Sequence, residues 1–156
     1  MIANKLQTMI GEAMKARDEV RLSTLRLLSS AFNYEKIDKR SLAGTAGKQH
    51  DLTDEEELVV IRREAKKRKE GAEAYEKAGS KDRAEKELAE LAVLQEFLPP
   101  EISDLDLEKI VDDAVSQIKP TSMADMGKVM AQVRLKTSGN ADGAKIAELV
   151  KSKLNG

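Results

Sequence analysis

Pro99 and Pro100 stand back to back between two runs of helical hydrophobic periodicity. A proline inside a helix loses a backbone hydrogen bond and clashes with the preceding turn, so two in succession end it. The residue before a proline is pushed towards extended geometry, which makes Leu98 the expected last helical residue. A fresh capped start, Ser103-Asp104-Leu105-Asp106, follows at once. The chain therefore reads as an N-terminal helical lobe over 1–98, a hinge over 99–102 and a C-terminal lobe over 103–156.

The content of both lobes reads as all-α. Aromatic residues make up only 3% and charged residues 35% of the 156, and the periodic stretches are long. No cysteine is present, which excludes disulfides, thiol catalysis and cysteine-based zinc sites and fits a reducing cytosol. No apolar run approaches the ~18 residues of a membrane span, and the first residues are amphipathic rather than continuously apolar. A cytoplasmic protein without membrane contact is expected.

In the first lobe, Ile2, Leu6, Met9, Ile10, Ala13 and Met14 recur at helical spacing. Asp18 is placed to cap a second helix, whose stripe is Leu22, Leu25, Leu28, Ala31 and Phe32 and whose pattern fades near Ile37. Arg21 and Arg26 flank that stripe and are expected to cover apolar surface and pair with carboxylates. Residues 41–52 read as a mobile loop containing Gly44, Gly47 and the single histidine, His50. Gly47-Lys48 does not make a phosphate loop, because Leu42 and Gln49 stand where that motif needs glycine and a hydroxyl residue.

Thr53-Asp54-Glu55-Glu56 has the form of a capping box, and the acidic run Asp54 to Glu57 suits the positive end of a helix dipole. The helix it opens carries Leu58, Ile61, Ala65, Ala72 and Tyr75, with Arg68 on the same stripe, at its edge or paired inside it. Arg62, Arg63, Lys66, Lys67, Arg68 and Lys69 form a basic cluster. The spacing spreads them around the helix, and Glu64–Arg68, Lys66–Glu70 and Lys69–Glu73 are i,i+4 pairs, so a solvated, self-paired face is expected. Ala78-Gly79-Ser80 is a short turn, with Ser80 as the next cap, and makes the flanking helices antiparallel neighbours. The following helix places Ala84, Leu88, Leu91, Leu94 and Leu98 on one face. Val93 and Phe97 point elsewhere, towards a contact between the lobes at the hinge.

The second lobe reads as three short helices. Leu107, Ile110, Val111, Ala114 and Ile118 form the first stripe, and Lys119-Pro120-Thr121 breaks it. A restart at Ser122-Met123-Ala124-Asp125 leads to Met126, Val129, Met130 and Val133. Ser138-Gly139-Asn140-Ala141 turns, and Asp142 caps a last helix with Ile146, Leu149, Val150 and Leu154 inward. None can bury a face alone, so a three-helix bundle is expected.

Net charge is only −1, which argues against a polycation. The charge is nevertheless segregated along the chain. Residues 103–126 carry two basic and six acidic groups, and 127–156 carry six basic and two acidic. A small anion-binding footprint on the last two helices follows, with modest and salt-sensitive affinity. Aromatics are too few for a base-stacking platform, which leaves recognition of folded RNA by shape and backbone.

The stretches Arg21-Leu22-Ser23-Thr24-Leu25-Arg26-Leu27-Leu28, Leu94-Gln95-Glu96-Phe97-Leu98-Pro99, Ala124-Asp125-Met126-Gly127-Lys128-Val129-Met130 and Ala141-Asp142-Gly143, with the helix pair between Thr53 and Leu98, resemble the GatB/YqeY family over nearly the whole chain. The chain looks like the free-standing, bacterial YqeY-like members. The resemblance implies an N-terminal helical lobe with a long antiparallel helix pair and a C-terminal three-helix lobe. It also implies kinship with the tail of the B subunit of the tRNA-dependent amidotransferase, a carbon–nitrogen ligase that uses glutamine as nitrogen donor. In that family the tail helps hold tRNA, while the chemistry belongs to other domains and subunits.

The expectation is thus a non-catalytic, tRNA-associated module, with Gly127, Lys128, Arg134, Lys136 and Lys145 as RNA-contacting residues. No catalytic residue, metal or cofactor is assigned; Asp112 and Asp113 are sequence neighbours and diverge around their helix. A protein-interaction scaffold docking through the hinge is the alternative. A ligase acting on its own is disfavoured by the missing catalytic constellation.

Overall fold

The computed structural model describes residues 1–42, 51–137 and 140–155. These form seven α-helices and one short 3₁₀ turn, with no strand among the described residues. The fold is all-α. The helices are α1 (Ile2–Ala16), α2 (Glu19–Leu42), α3 (Asp54–Lys77), α4 (Lys81–Gln95), α5 (Asp104–Ile118), α6 (Met126–Thr137) and α7 (Gly143–Asn155), with the 3₁₀ turn at Met123–Asp125. They fall into two compact units, Met1–Leu98 and Pro99–Gly156.

The first unit is built on the α3–α4 hairpin, against which α2 packs, with α1 on α2. Its core comprises Leu6, Ile10, Leu25, Leu28, Phe32, Leu52, Val60, Ile61, Val93 and Leu94, with smaller neighbours. Local signals set most boundaries. Asp18 Oδ1 accepts from the Arg21 N–H at 3.0 Å and starts α2. The Thr53/Glu56 capping box is complete: Thr53 Oγ1 accepts from Glu56 N–H at 3.2 Å and Glu56 Oε2 from Thr53 N–H at 2.8 Å. Gly79, at φ 76, supplies the left-handed residue that lets the chain reverse between α3 and α4.

Several sequence expectations are corrected here. Helix α2 continues to Leu42, past the fading of its apolar pattern near Ile37, because Lys36, Lys39 and Glu35 tie its last turns to Asp51, Glu56 and Arg63. Leu52 lies in the connection ahead of α3, and its side chain is buried in the core. The rest of that segment, including Gly44, Gly47, Lys48, Gln49 and His50, lies outside the described residues. Met14 and Leu88 are exposed rather than inward. Val60 is buried and Leu58 half-buried, so the α3 face is turned from the expected one. Val93 lies in the core and Phe97 packs against it, so both belong to this unit's own interior. Ser80 sits at the N-cap of α4 without a side-chain cap bond. Helix α4 ends at Gln95, three residues before Leu98; Phe97 and Leu98 then bond back to Leu94 and Gln95 in a tighter turn.

In the second unit α5, α6 and α7 each pack on the other two. Leu107, Val111, Ala114, Val129, Val133, Ile146 and Val150 form the core, with Ile102, Met126, Met130 and Leu149 around it. Ser103 Oγ accepts from the Asp106 N–H at 3.1 Å and Asp142 Oδ1 from the Ala144 N–H at 3.0 Å, so both expected caps are made. Lys119, at φ 50, closes α5 ahead of Pro120. Asp125 accepts from the Thr121 N–H at 3.0 Å and fixes the restart, and this bond holds its carboxyl below the usual aspartate range. Of the expected turn after α6, Ser138 and Gly139 lie outside the described residues.

Candidate RNA-contacting surface of the second unit

The five residues proposed from sequence do not form one patch. Gly127 and Lys128 lie in the first turn of α6, both exposed. Arg134 and Lys136 lie in its last turn, about 9–12 Å further along the axis by helical rise. Two residues apart on a helix are about 200° apart around it, so Arg134 and Lys136 point to opposite flanks. Gln132, one turn before Lys136, hydrogen-bonds to Gln117 of α5, which identifies the Lys136 flank as the α5 side. Arg134 lies on the α7 side: its Nη2 is 3.5 Å from where a Cβ on Gly143 would stand. The structure thus brings Arg134 to the first turn of α7, the turn that also carries Lys145.

Charge segregated along the sequence is largely recombined in space. Helix α5 is the acidic helix, and α7 folds its lysines onto it. Lys145 Nζ lies 3.4 Å from Asp104, and Lys153 Nζ 2.9 Å from Asp112 and 3.4 Å from Glu108. These carboxylates, Asp112 first, raise the Lys153 amine above its ordinary value. Lys128 pairs with Asp125 at 3.7 Å. Among the described residues no ion pair is made by Arg134, Lys136 or Lys151.

Gly127 does not serve helix packing. A Cβ there would meet nothing within 4 Å, so the position opens outward. Further along α6 stands Leu135, 80% exposed, an apolar side chain that the periodicity left unremarked.

The basic cluster of α3 is only partly self-paired, because Arg68 makes its shortest bond to Glu90 of α4 at 2.7 Å rather than along its own helix. Arg68 meets Glu64 at 3.7 Å, Lys67 meets Glu64 at 2.8 Å and Lys66 meets Glu70 at 4.0 Å, while Arg63 reaches Glu35 of α2 at 2.9 Å. No Lys69–Glu73 pair forms among the described residues. Arg62 is partly buried, which lowers its guanidinium from the ordinary value. Arg21 donates from Nη1 to Glu96 Oε2 at 2.7 Å, tying the start of α2 to the end of α4, whereas Arg26 stays exposed beside Leu27. Surface depressions lie at Gly79–Arg83 and along Glu19, Leu22, Ser23, Arg26 and Leu27. No group of three or more His, Asp or Glu side chains is placed to hold a metal among the described residues, and no described helix is long and apolar enough to cross a membrane.

The architecture defines an all-helical protein of two compact units, with Lys128, Arg134, Lys136 and Lys145 exposed on α6 and α7. The chain belongs to the YqeY-like protein family, whose model matches residues 3–154. It is also similar to an uncharacterized protein of the fission yeast Schizosaccharomyces pombe, with 31% identity over 94 residues, 60% of this chain and 69% of that protein. The kinship therefore reaches a eukaryote and is not confined to bacteria.

Proposed function

We propose that this chain is a non-catalytic, tRNA-associated binding or accessory module, and that its second unit meets the phosphates of a folded RNA. The observation that carries the reading is the family match across nearly the whole chain, because that family resembles the tRNA-holding tail of the amidotransferase B subunit. The surface is compatible with it. Arg134 and Lys136 have no carboxylate partner among the described residues, and Lys128 and Lys145 are held only by long, exposed pairs. Exposed pairs of this kind are worth about 0–1 kcal/mol, so exchanging a carboxylate for a phosphate costs little. Because Arg134 and Lys136 sit on opposite flanks of α6, the footprint would follow an RNA surface curving around the helix rather than a flat patch.

The test is a fluorescence-anisotropy titration of the purified protein with folded tRNA at several salt concentrations, beside an unrelated structured RNA. Saturable binding that prefers tRNA is expected. Replacing Lys128, Arg134, Lys136 and Lys145 by alanine should weaken it and flatten its salt slope by about 0.7–0.9 per lost phosphate contact. Equal binding by that variant, or none by the native protein at low salt, removes the reading. Amide formation by the purified chain alone would overturn its non-catalytic part.

A protein-docking role for the hinge has no comparable support. Phe97, the apolar residue that suggested it, packs against the core of its own unit.

A further inference from the structure

We propose that the solvent face of α2 is a self-complementary seam on which a second copy of this chain docks antiparallel. The core face of α2 is Thr24, Leu25, Leu28 and Phe32. On the far side lie Val20, Ser23, Leu27, Ser30, Tyr34 and Ile37, spaced by three and four residues. That spacing is the one by which two helices form a common seam. Val20, Leu27, Tyr34 and Ile37 are 36%, 48%, 71% and 53% exposed. Single exposed apolar residues are ordinary, whereas four on one line over about 26 Å of helix are not. Three charged residues of the same turns are engaged elsewhere: Glu35, Lys36 and Lys39 pair with Arg63, Asp51 and Glu56. The two serines return their hydroxyls to their own helix, Ser23 to the Val20 carbonyl at 3.1 Å and Ser30 to the Arg26 carbonyl at 3.2 Å, so neither requires water on the seam.

Size and charge select the occupant. When two such helices run antiparallel, each layer pairs residues whose numbers total 57. Val20 then meets the partner's Ile37, Ser23 the partner's Tyr34, and Leu27 the partner's Ser30. Every central layer sets a large side chain against a small one. A parallel pair would instead stack Ser23 on Ser23 and Tyr34 on Tyr34, alternating voids with crowding. On the flank, the numbers of Glu19 and the partner's Arg40, and of Arg26 and the partner's Asn33, total 59, so each pair lies on the same side of the seam and within two residues, about 3 Å of rise, of level. A seam of one helix per copy is small for a specific interface, which points to a reversible dimer.

The chain has no cysteine, so introduced ones report without background. Sedimentation velocity from about 1 to 200 μM should show a concentration-dependent dimer, and Leu27→Glu should remain monomeric with unchanged helical circular dichroism. Ser23→Cys protein mixed with Tyr34→Cys protein should form disulfide-linked dimers several-fold faster than either alone. In the antiparallel pair position 23 of one copy lies about 16 Å along the seam from position 23 of the other, too far for a disulfide. Glu19→Arg and Arg40→Glu should each weaken dimerisation at least tenfold, and the double variant should restore it. A monomer at every concentration, efficient self-crosslinking of Ser23→Cys, or no rescue by the charge swap would each overturn the proposal.

Discussion

Glu57 caps the helix that contains Ile2, although 55 residues separate them. Its Oε2 accepts from the Ile2 N–H at 2.6 Å and its Oε1 from the Ala3 N–H at 3.2 Å. Glu57 lies in the first turn of α3 and is fully buried, so it joins two helix beginnings with one carboxylate. The first N–H groups of a helix have no partner within it, and a negative charge there is favoured by the dipole as well. Helix α1 has no side-chain cap of its own. Its cap is supplied from tertiary structure.

Glu57→Ala should therefore act on α1 as much as on α3. It removes two charge-assisted bonds and leaves part-buried N–H groups unmatched, a loss of about 2–3 kcal/mol. Glu57→Gln keeps one acceptor oxygen and should lose about half as much. Urea unfolding gives the magnitude, and amide exchange gives the place: protection at Ile2 and Ala3 should fall before protection at Ile61. Uniform loss of protection across the first unit would count against a local capping role.

The helices were legible in the sequence because caps and breakers carry their own chemistry. Asp18, the Thr53/Glu56 box, Gly79, Ser103, Pro120 and Asp142 act within a few residues of themselves. Registers were less legible. Leu58, Val59, Val60 and Ile61 are four apolar residues in succession, and no period can choose among them. The choice is made by Glu57 and Arg68, which complete one face with Val60, Ile61, Ala65 and Ala72 once their charges are met from other helices. Arg68 on an apolar stripe was a signal that a carboxylate waited opposite. Its identity, Glu90, follows from antiparallel register, since Gly71 faces Glu87 and Arg68 faces Glu90. The candidate surface was legible only as composition. A linear count put acid before base, but folding α7 onto α5 cancels much of the contrast.

Arg68 and Glu90 give the second expectation. Arg68 Nε donates to Glu90 Oε2 at 2.7 Å, with side chains 15% and 10% exposed, and Glu87 and Glu64 stand nearby at 3.8 and 3.7 Å. Truncating one partner of such a pair leaves the other charge poorly hydrated. Arg68→Ala should thus destabilise the first unit by about 3 kcal/mol, while Arg68→Met with Glu90→Leu should recover most of that. Chemical denaturation of Arg68→Met, of Glu90→Leu and of the double variant measures the coupling. Additive losses would mean that the pair contributes only its separate packing.

Lys153 separates structure from RNA contact in the second unit. Its amine is raised above its ordinary value by Asp112 first and Glu108 second. A cation whose folded value lies above its unfolded one adds stability below the unfolded value and loses it as pH rises through the folded one. The second unit should therefore soften above about pH 10.5, the ordinary lysine value. Lys153→Met should lower its thermal midpoint at neutral pH and blunt that alkaline loss. Because the amine is held between two carboxylates of α5, the same substitution should leave tRNA affinity close to that of the native chain. Arg134→Ala, which removes no ion pair among the described residues, should do the opposite: weaker RNA binding at an unchanged midpoint. If instead Lys153→Met weakened binding as much as Arg134→Ala, the contact surface would lie on the α5–α7 side of the bundle rather than around α6.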